Sequence, residues 1–232
     1  MKGGTGLLVC AVAAALGGCV EDARVAVPSD LAATTERLEI KGMGAGTRGT
    51  FGLAGAQGRF YRSSESASAF GDVRKRGGGS FTVGPPAVAE ELSGFCDFSE
   101  REIRPGRGIA VTTDRLIYGC AFEREGRRIE AELVVEAADG RGTAMFRHER
   151  EGYLLFEGQR IELKSIHSFD DGKLPTITPL GYSFHSNGAQ IGAIDLNGLD
   201  KTLFAPRQGP EREAVIAAAL ALAIFWDPAD AD

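Results

Sequence analysis

The stretch that decides the fold is "AVIAAALALAIFWDP", residues 214–228. Its first thirteen residues, Ala214 to Trp226, are all apolar. Alanine and leucine dominate them, and both favour helix. A helix on a protein surface keeps a polar stripe toward water, and this one has none. It is also too short to cross a bilayer, which takes about 20 apolar residues. The sequence around it sets its limits. Pro210 precedes the run at a helix start, where its missing N–H costs nothing. Glu211 and Glu213 favour the positive end of the helix dipole. Pro228 disfavours helical geometry at Asp227. The expectation is a helix over about 211–226, roughly 20 Å of apolar rod at 1.5 Å rise per residue, that must be enclosed on all sides.

The rest of the body supplies the enclosure. In "RRIEAELVVEA" (127–137), Ile129, Ala131, Leu133 and Val135 alternate with Glu130, Glu132 and Glu136. That period of two marks a strand with one dry face. Short glycine turns recur near 125, 139, 157, 171 and 187, where tight hairpins need positive φ. Strands are expected near 37–41, 49–54, 58–62, 79–83, 94–98, 108–112, 115–123, 127–136, 142–149, 152–156, 159–169, 181–186, 189–196 and 201–205. Successive hairpins with one dry face predict a mainly β chain, a closed antiparallel β-barrel of about twelve strands. The apolar C-terminal helix would run along its axis, within a single domain over 36–232.

The N-terminal residues carry a different signal. Lys2 is followed by an apolar run from Leu7 to Leu16 and then "LGGC" at 16–19, the pattern of a secretory leader. The "LGGC" resembles the lipobox of bacterial lipoproteins. That resemblance implies a leader over 1–18, a diacylglyceryl group on Cys19 and, with Val20 next to it, an outer-membrane address facing the periplasm. Residues 20–35, "VEDARVAVPSDLAATT", show little periodicity and read as a flexible tether. Loss of the leader's single Lys would take the formal charge from −6 to −7. An acidic balance excludes nucleic acid as a main partner. The partners expected are the membrane, through the anchor, and an envelope protein or lipid.

With Cys10 and Cys19 so assigned, Cys96 in "SGFCDF" and Cys120 in "IYGCAF" remain. An exported, oxidising compartment favours a disulfide between them. No basic neighbour pattern marks either as an activated thiol.

The order of elements across 36–228 is similar to the tubby C-terminal-like superfamily, which includes tubby proteins, phospholipid scramblases and LURP-one proteins. The local likeness is best in "PLGYSFHSNGAQIGAIDLNG" (179–198) followed by the apolar helix. The resemblance implies the barrel with its central helix and, for some members, contact with anionic lipid head groups. No motif carries those contacts over residue by residue.

Arg74, Lys75 and Arg76 in "GDVRKRGGGSF" (71–81) could hold an anion beside glycine N–H groups, or simply solvate a hairpin tip. Arg101, Arg104 and Arg107 form a second basic cluster. His148, His167 and His185 lack metal-ligand spacing. Ser183, His185 and Asp195 can be written as a triad, but no nucleophile elbow supports it. Asp170 and Asp171, beside Gly172, read as a turn. No catalytic residue, metal or cofactor is assigned. The leading expectation is a non-enzymatic envelope lipoprotein acting as a binding or interaction module. The alternatives are a periplasmic hydrolase of envelope material and an accessory subunit of an outer-membrane assembly.

Overall fold

The computed structural model describes residues 24–106, 109–138, 147–170 and 174–228. A short helix α1 (Ser29–Thr34) leads into twelve strands and a final helix. The strands are β1 (Thr35–Ile40), β2 (Arg48–Leu53), β3 (Ala56–Ala69), β4 (Asp72–Val83), β5 (Leu92–Gly106) and β6 (Ile109–Arg124). They continue as β7 (Arg127–Ala137), β8 (Arg150–Phe156), β9 (Gln159–Ile166), β10 (Gly181–Ser186), β11 (Ala189–Asp195) and β12 (Lys201–Pro206), before α2 (Pro210–Ile224). From β2 to β12 each strand pairs antiparallel with its neighbour in sequence, and β1 pairs with β12, so one twelve-stranded sheet curls nearly shut. The seam lies between β1 and β2. There Lys41 and Gly52 exchange both backbone hydrogen bonds, at 3.0 and 2.9 Å. The expected mainly-β barrel with a buried C-terminal helix is the fold.

Two-residue turns close four hairpins at one end: Ala54–Gly55, Glu125–Gly126, Glu157–Gly158 and Asn187–Gly188. All eight residues have positive φ, the geometry whose twist matches that of the flanking strands. We call this the near end. At the far end the odd-numbered strands finish and the even-numbered ones begin. Helix α2 follows β12 in from the near end and carries its C-terminus to the far end. Every residue from Ala214 to Ile224 is buried. The inward residues of the strands, among them Ile40, Leu53, Phe81, Phe122, Leu133, Leu154, Leu163, Phe184 and Leu203, pack around it in one core. Backbone approach is close where the wall meets the helix. A Cβ added to Gly79 would lie 3.2 Å from Ile224 Cδ1, and one on Gly192 would lie 3.1 Å from Val215 Cγ1. Small residues on both sides let a helix fit inside a twelve-stranded wall.

Strands β3 to β6, of 14, 12, 15 and 16 residues, are longer than the rest. Their excess length forms a ribbon at the far end. The separate strands expected over 108–112 and 115–123 are one strand, β6. Of the strand expected over 142–149, residues 142–146 lie outside the described residues, and 147–149 are not strand.

The segment read as a tether is docked wherever it is described. Val25 bridges to Phe169, and its N–H donates to Asp195 Oδ2 at 3.1 Å. Leu31 of α1 is buried. Sparse periodicity suggested flexibility, but two well-placed apolar residues and two backbone bonds are enough to hold the segment to the outer wall. Cys19 lies outside the described residues.

Cys96 and Cys120 sit directly opposite each other on β5 and β6 and form a disulfide, with Cα atoms 4.1 Å apart. Both are buried. Non-reducing peptide mapping should return one linked peptide; two freely alkylated thiols would contradict the pairing.

Candidate functional site

The far end of the barrel holds most of the buried charge, and it is built around the C-terminus of α2. Helix carbonyls concentrate partial negative charge there, and inward-facing cations answer it. Arg62 of β3 is buried. Its Nη1 donates to Ala223 O at 3.2 Å, its Nη2 to Met43 O at 3.1 Å and to Gly44 O, and its Nε to Gly46 O at 2.8 Å. The same guanidinium lies 4.8 Å from the Trp226 ring centre and 5.4 Å from that of Phe60. It therefore pins the 43–46 loop, the helix end and the exit segment together. Tyr118 O–H adds a bond to Ala221 O at 2.6 Å, and its ring stacks on Phe225 at 4.2 Å.

Beyond the helix, the exit segment is clamped by charge. Arg150 of β8 meets Asp227 side-on, Nε to Oδ2 and Nη2 to Oδ1, both at 2.8 Å and both buried. A paired fork of this kind is the strongest arrangement available to a carboxylate. Lys75 of β4 donates to Pro228 O at 3.3 Å and faces Glu100 and Glu102 of β5 at 4.0 and 3.8 Å. Burial pushes the Glu100 carboxyl above the usual range, outweighing Arg150 and Lys75, which pull it down. Next to this cluster, His167 Nδ1 lies 3.1 Å from Thr176 O, which can only accept, so that nitrogen carries the proton. Its Nε2 then accepts from Ser165 O–H at 3.0 Å, while Ser165 Oγ accepts the Arg150 N–H at 2.9 Å. Burial holds the imidazole below its ordinary pKa, hence neutral at pH 7. This chain of bonds ties the start of β8 to the loop after β9.

A cleft of about 310 Å³ opens beside this cluster, lined by Arg62, Tyr182, Asn197, Lys201, Trp226 and Asp227 among others. Its cations are engaged inside the protein. Lys201 Nζ donates to Leu196 O at 2.8 Å and to Gly198 O at 2.5 Å.

The triplet Arg74, Lys75 and Arg76 is not at a hairpin tip; the tip is Phe70–Gly71, and the triplet lies within β4. Strand alternation splits it. Lys75 points into the barrel, while Arg74 and Arg76 are exposed. Arg74 Nη2 shares the Asp72 carboxylate with Arg101, at 3.2 Å against 2.8 and 2.9 Å. The hydrogen-bonded Arg101 is the main reason the Asp72 pKa is lowered. Nor do the three glycines form an anion cradle. A Cβ on Gly77, Gly78 or Gly79 would fall 2.3–2.5 Å from carbonyl oxygens of the neighbouring strands, so they are packed strand interior. An exposed Arg76 and a half-engaged Arg74 line a shallow groove with Glu65. Arg107 and Asp171 lie outside the described residues, as do the side chains of 104–106 at the end of β5.

The Ser183, His185 and Asp195 set is only partly assembled. His185 Nε2 is 3.0 Å from Ser183 Oγ, which itself donates to Lys164 O. Asp195 instead accepts the N–H groups of Val25 and Asn197. Its pKa is raised, chiefly by burial. Asp195 thus holds the N-terminal segment to the wall rather than an imidazole. Among the described residues, no three His, Cys, Asp or Glu side chains converge as metal ligands. The same residues contain no helix long and apolar enough to cross a membrane.

No family model, curated protein or solved structure matches the chain.

Proposed function

We propose that this chain is a lipid-anchored envelope protein that works as a non-enzymatic binding or interaction module, in the architectural style of tubby-like barrels. One observation supports the module reading above the others. Helix α2 fills the barrel, with Ala214 to Ile224 all buried, so recognition falls to outer walls, loop tips and surface clefts. The charged groups at the far end point the same way. Arg62, Lys75, Arg150 and Asp227 hold the exit of α2, which is work a structural core requires. The Ser165–His167 contact is the feature a hydrolase reading would use. There the imidazole is oriented by a carbonyl and the hydroxyl already accepts a backbone N–H, which suits a structural tie.

The anchor rests on "LGGC" at 16–19, placing the protein on a bacterial envelope membrane through Cys19. Mass spectrometry of the wild-type protein should find a diacylglyceryl adduct on Cys19, and Cys19→Ala should release the protein from the membrane. Unmodified Cys19 in membrane-bound wild type sinks this part. For the module reading, the intact protein is extracted from its own envelope in mild detergent. A co-purifying protein or lipid in near-equal amount is expected. Turnover of envelope material by the purified protein would replace the reading with the hydrolase alternative.

A further inference from the structure

The most exposed large apolar side chains are not scattered. Phe70, Leu174, Leu199 and Ile177 have relative exposures of 112, 89, 72 and 62 %, ahead of Ile117 and Tyr61 on the outer wall at 53 and 51 %. All four occupy connections at the far end: the β3–β4 turn, the β9–β10 loop and the β11–β12 loop. Three connections at one end of a barrel, offering four leucine, isoleucine or phenylalanine side chains to water, forgo roughly 1.5–3 kcal/mol of burial per side chain. Such clustering marks an interaction surface.

A second observation argues for a membrane as what covers it. The chain outside the described residues joins the body at this same end. Asp170 N–H donates to Arg24 O at 3.0 Å, and Val25 bridges to Phe169 in the loop that carries Leu174 and Ile177. The preceding chain contains Cys19, five residues from Arg24. Fully extended, that spacer reaches at most about 18 Å. An attachment at Cys19 would leave the far end beside the bilayer and the near end away from it.

Charge discriminates between the two ways of meeting a membrane. Around the far end, several cations are already tied to carboxylates: Lys41 to Glu39 at 2.9 Å, and Arg74 and Arg101 to the single Asp72. Asp200 lies in the Leu199 loop, and the chain as a whole carries −6. What the far end offers a bilayer is its apolar tips rather than these partnered cations. We infer that the far end seats on a lipid bilayer by inserting the apolar tips Phe70, Leu174, Ile177 and Leu199 into its interface, without dependence on anionic lipid. The choice of a bilayer as the partner rests on the proposed anchor at Cys19, and the insertion is tested separately from it.

The test uses the full chain carrying Cys10→Ala and Cys19→Ala, which keeps the Cys96–Cys120 disulfide. A single cysteine bearing an environment-sensitive nitrobenzoxadiazole label is placed at Ile177→Cys, Leu199→Cys or, as a wall control, Leu155→Cys. Each protein is mixed with vesicles of pure phosphatidylcholine and with vesicles containing phosphatidylglycerol, at low and high salt. Emission from positions 177 and 199 should move to shorter wavelength in both lipids, persist at high salt, and stay unchanged at 155. No shift at 177 and 199 in phosphatidylcholine overturns the inference, even if the chain is held on the vesicle by other segments. A shift confined to anionic vesicles and lost in salt overturns it in favour of head-group attraction. A shift at 155 as well means a side-on seat and also overturns it. The lipid on Cys19 is read independently by mass spectrometry, so either result leaves the other standing.

Discussion

Ala218→Glu should leave no folded protein. Ala218 is fully buried midway along α2, with barrel wall on every side and no room or partner for a carboxylate. Burying that group ionised costs far more than burying it neutral, so it would protonate and still displace core side chains. The loss should match or exceed an ordinary stability of roughly 5–15 kcal/mol. Leu220→Ala grades the same claim, since truncating a buried leucine costs about 2–5 kcal/mol. For a domain of this size that lowers the melting temperature by roughly 4–20 °C. Both are read by thermal melts followed by near-UV circular dichroism. An Ala218→Glu protein that melts with wild type would mean the helix is not enclosed.

The second large effect belongs to the exit clamp. Asp227→Ala removes the carboxylate that faces Arg150 through two 2.8 Å bonds and leaves a buried guanidinium without its main partner. Breaking a buried pair in this way costs about 3–5 kcal/mol. Replacing both members, as in Arg150→Met with Asp227→Leu, removes the unpaired charge as well. That double variant should recover most of the loss, because well-packed apolar substitutes are often as stable as the pair they replace. Chemical denaturation of wild type, the single variant and the double variant decides it. A single variant within about 1 kcal/mol of wild type would mean water already reaches the clamp.

The two variants fall on opposite sides of what could be read from the chain. The helix was legible because thirteen apolar residues in a row allow only enclosure or a membrane, and the run is too short for the latter. The turns at 125, 157 and 187 were legible through their glycines. Ala54–Gly55 and Phe70–Gly71 were missed because an apolar residue before the glycine does not mark an exposed turn as Glu125, Glu157 and Asn187 do. In β7 the alternation of Ile129, Ala131, Leu133 and Val135 with glutamates made the register plain. In β4 it was hidden, because Gly77, Gly78 and Gly79 contribute no side chain to either face. The run of Arg74, Lys75 and Arg76 therefore reads as a hairpin tip, either an anion site or a solvated face, and nothing in it shows Lys75 turned inward. The clamp was not legible at all. Arg62, Lys75, Glu100, Arg150 and Asp227 lie far apart in the chain, and each alone is an ordinary charge. Only the strand register, with Lys75 opposite Glu100, and the exit path of α2 bring them together. Conversely, the segment before β1 was underestimated. Val25 and Leu31 are isolated in an otherwise polar stretch, and their burial depends on a wall that no local pattern reveals.

Helix α2 follows all twelve strands in the chain, which sets an order of events. As the polypeptide emerges, the sheet becomes available before the rod that fills it. Without that rod, the sheet would be a shell with its oily face unsatisfied and its seam held by little more than the Lys41–Gly52 pair. Closing such a wall requires contacts between distant parts of the chain, which fold slowly. Until residues 210–224 arrive, the shell offers chaperones and proteases a large sticky target. Quality control of this protein is thus concentrated in a single late step. Chains stopped before Pro210 should be cleared, whereas chains that pass it lock shut around their own core.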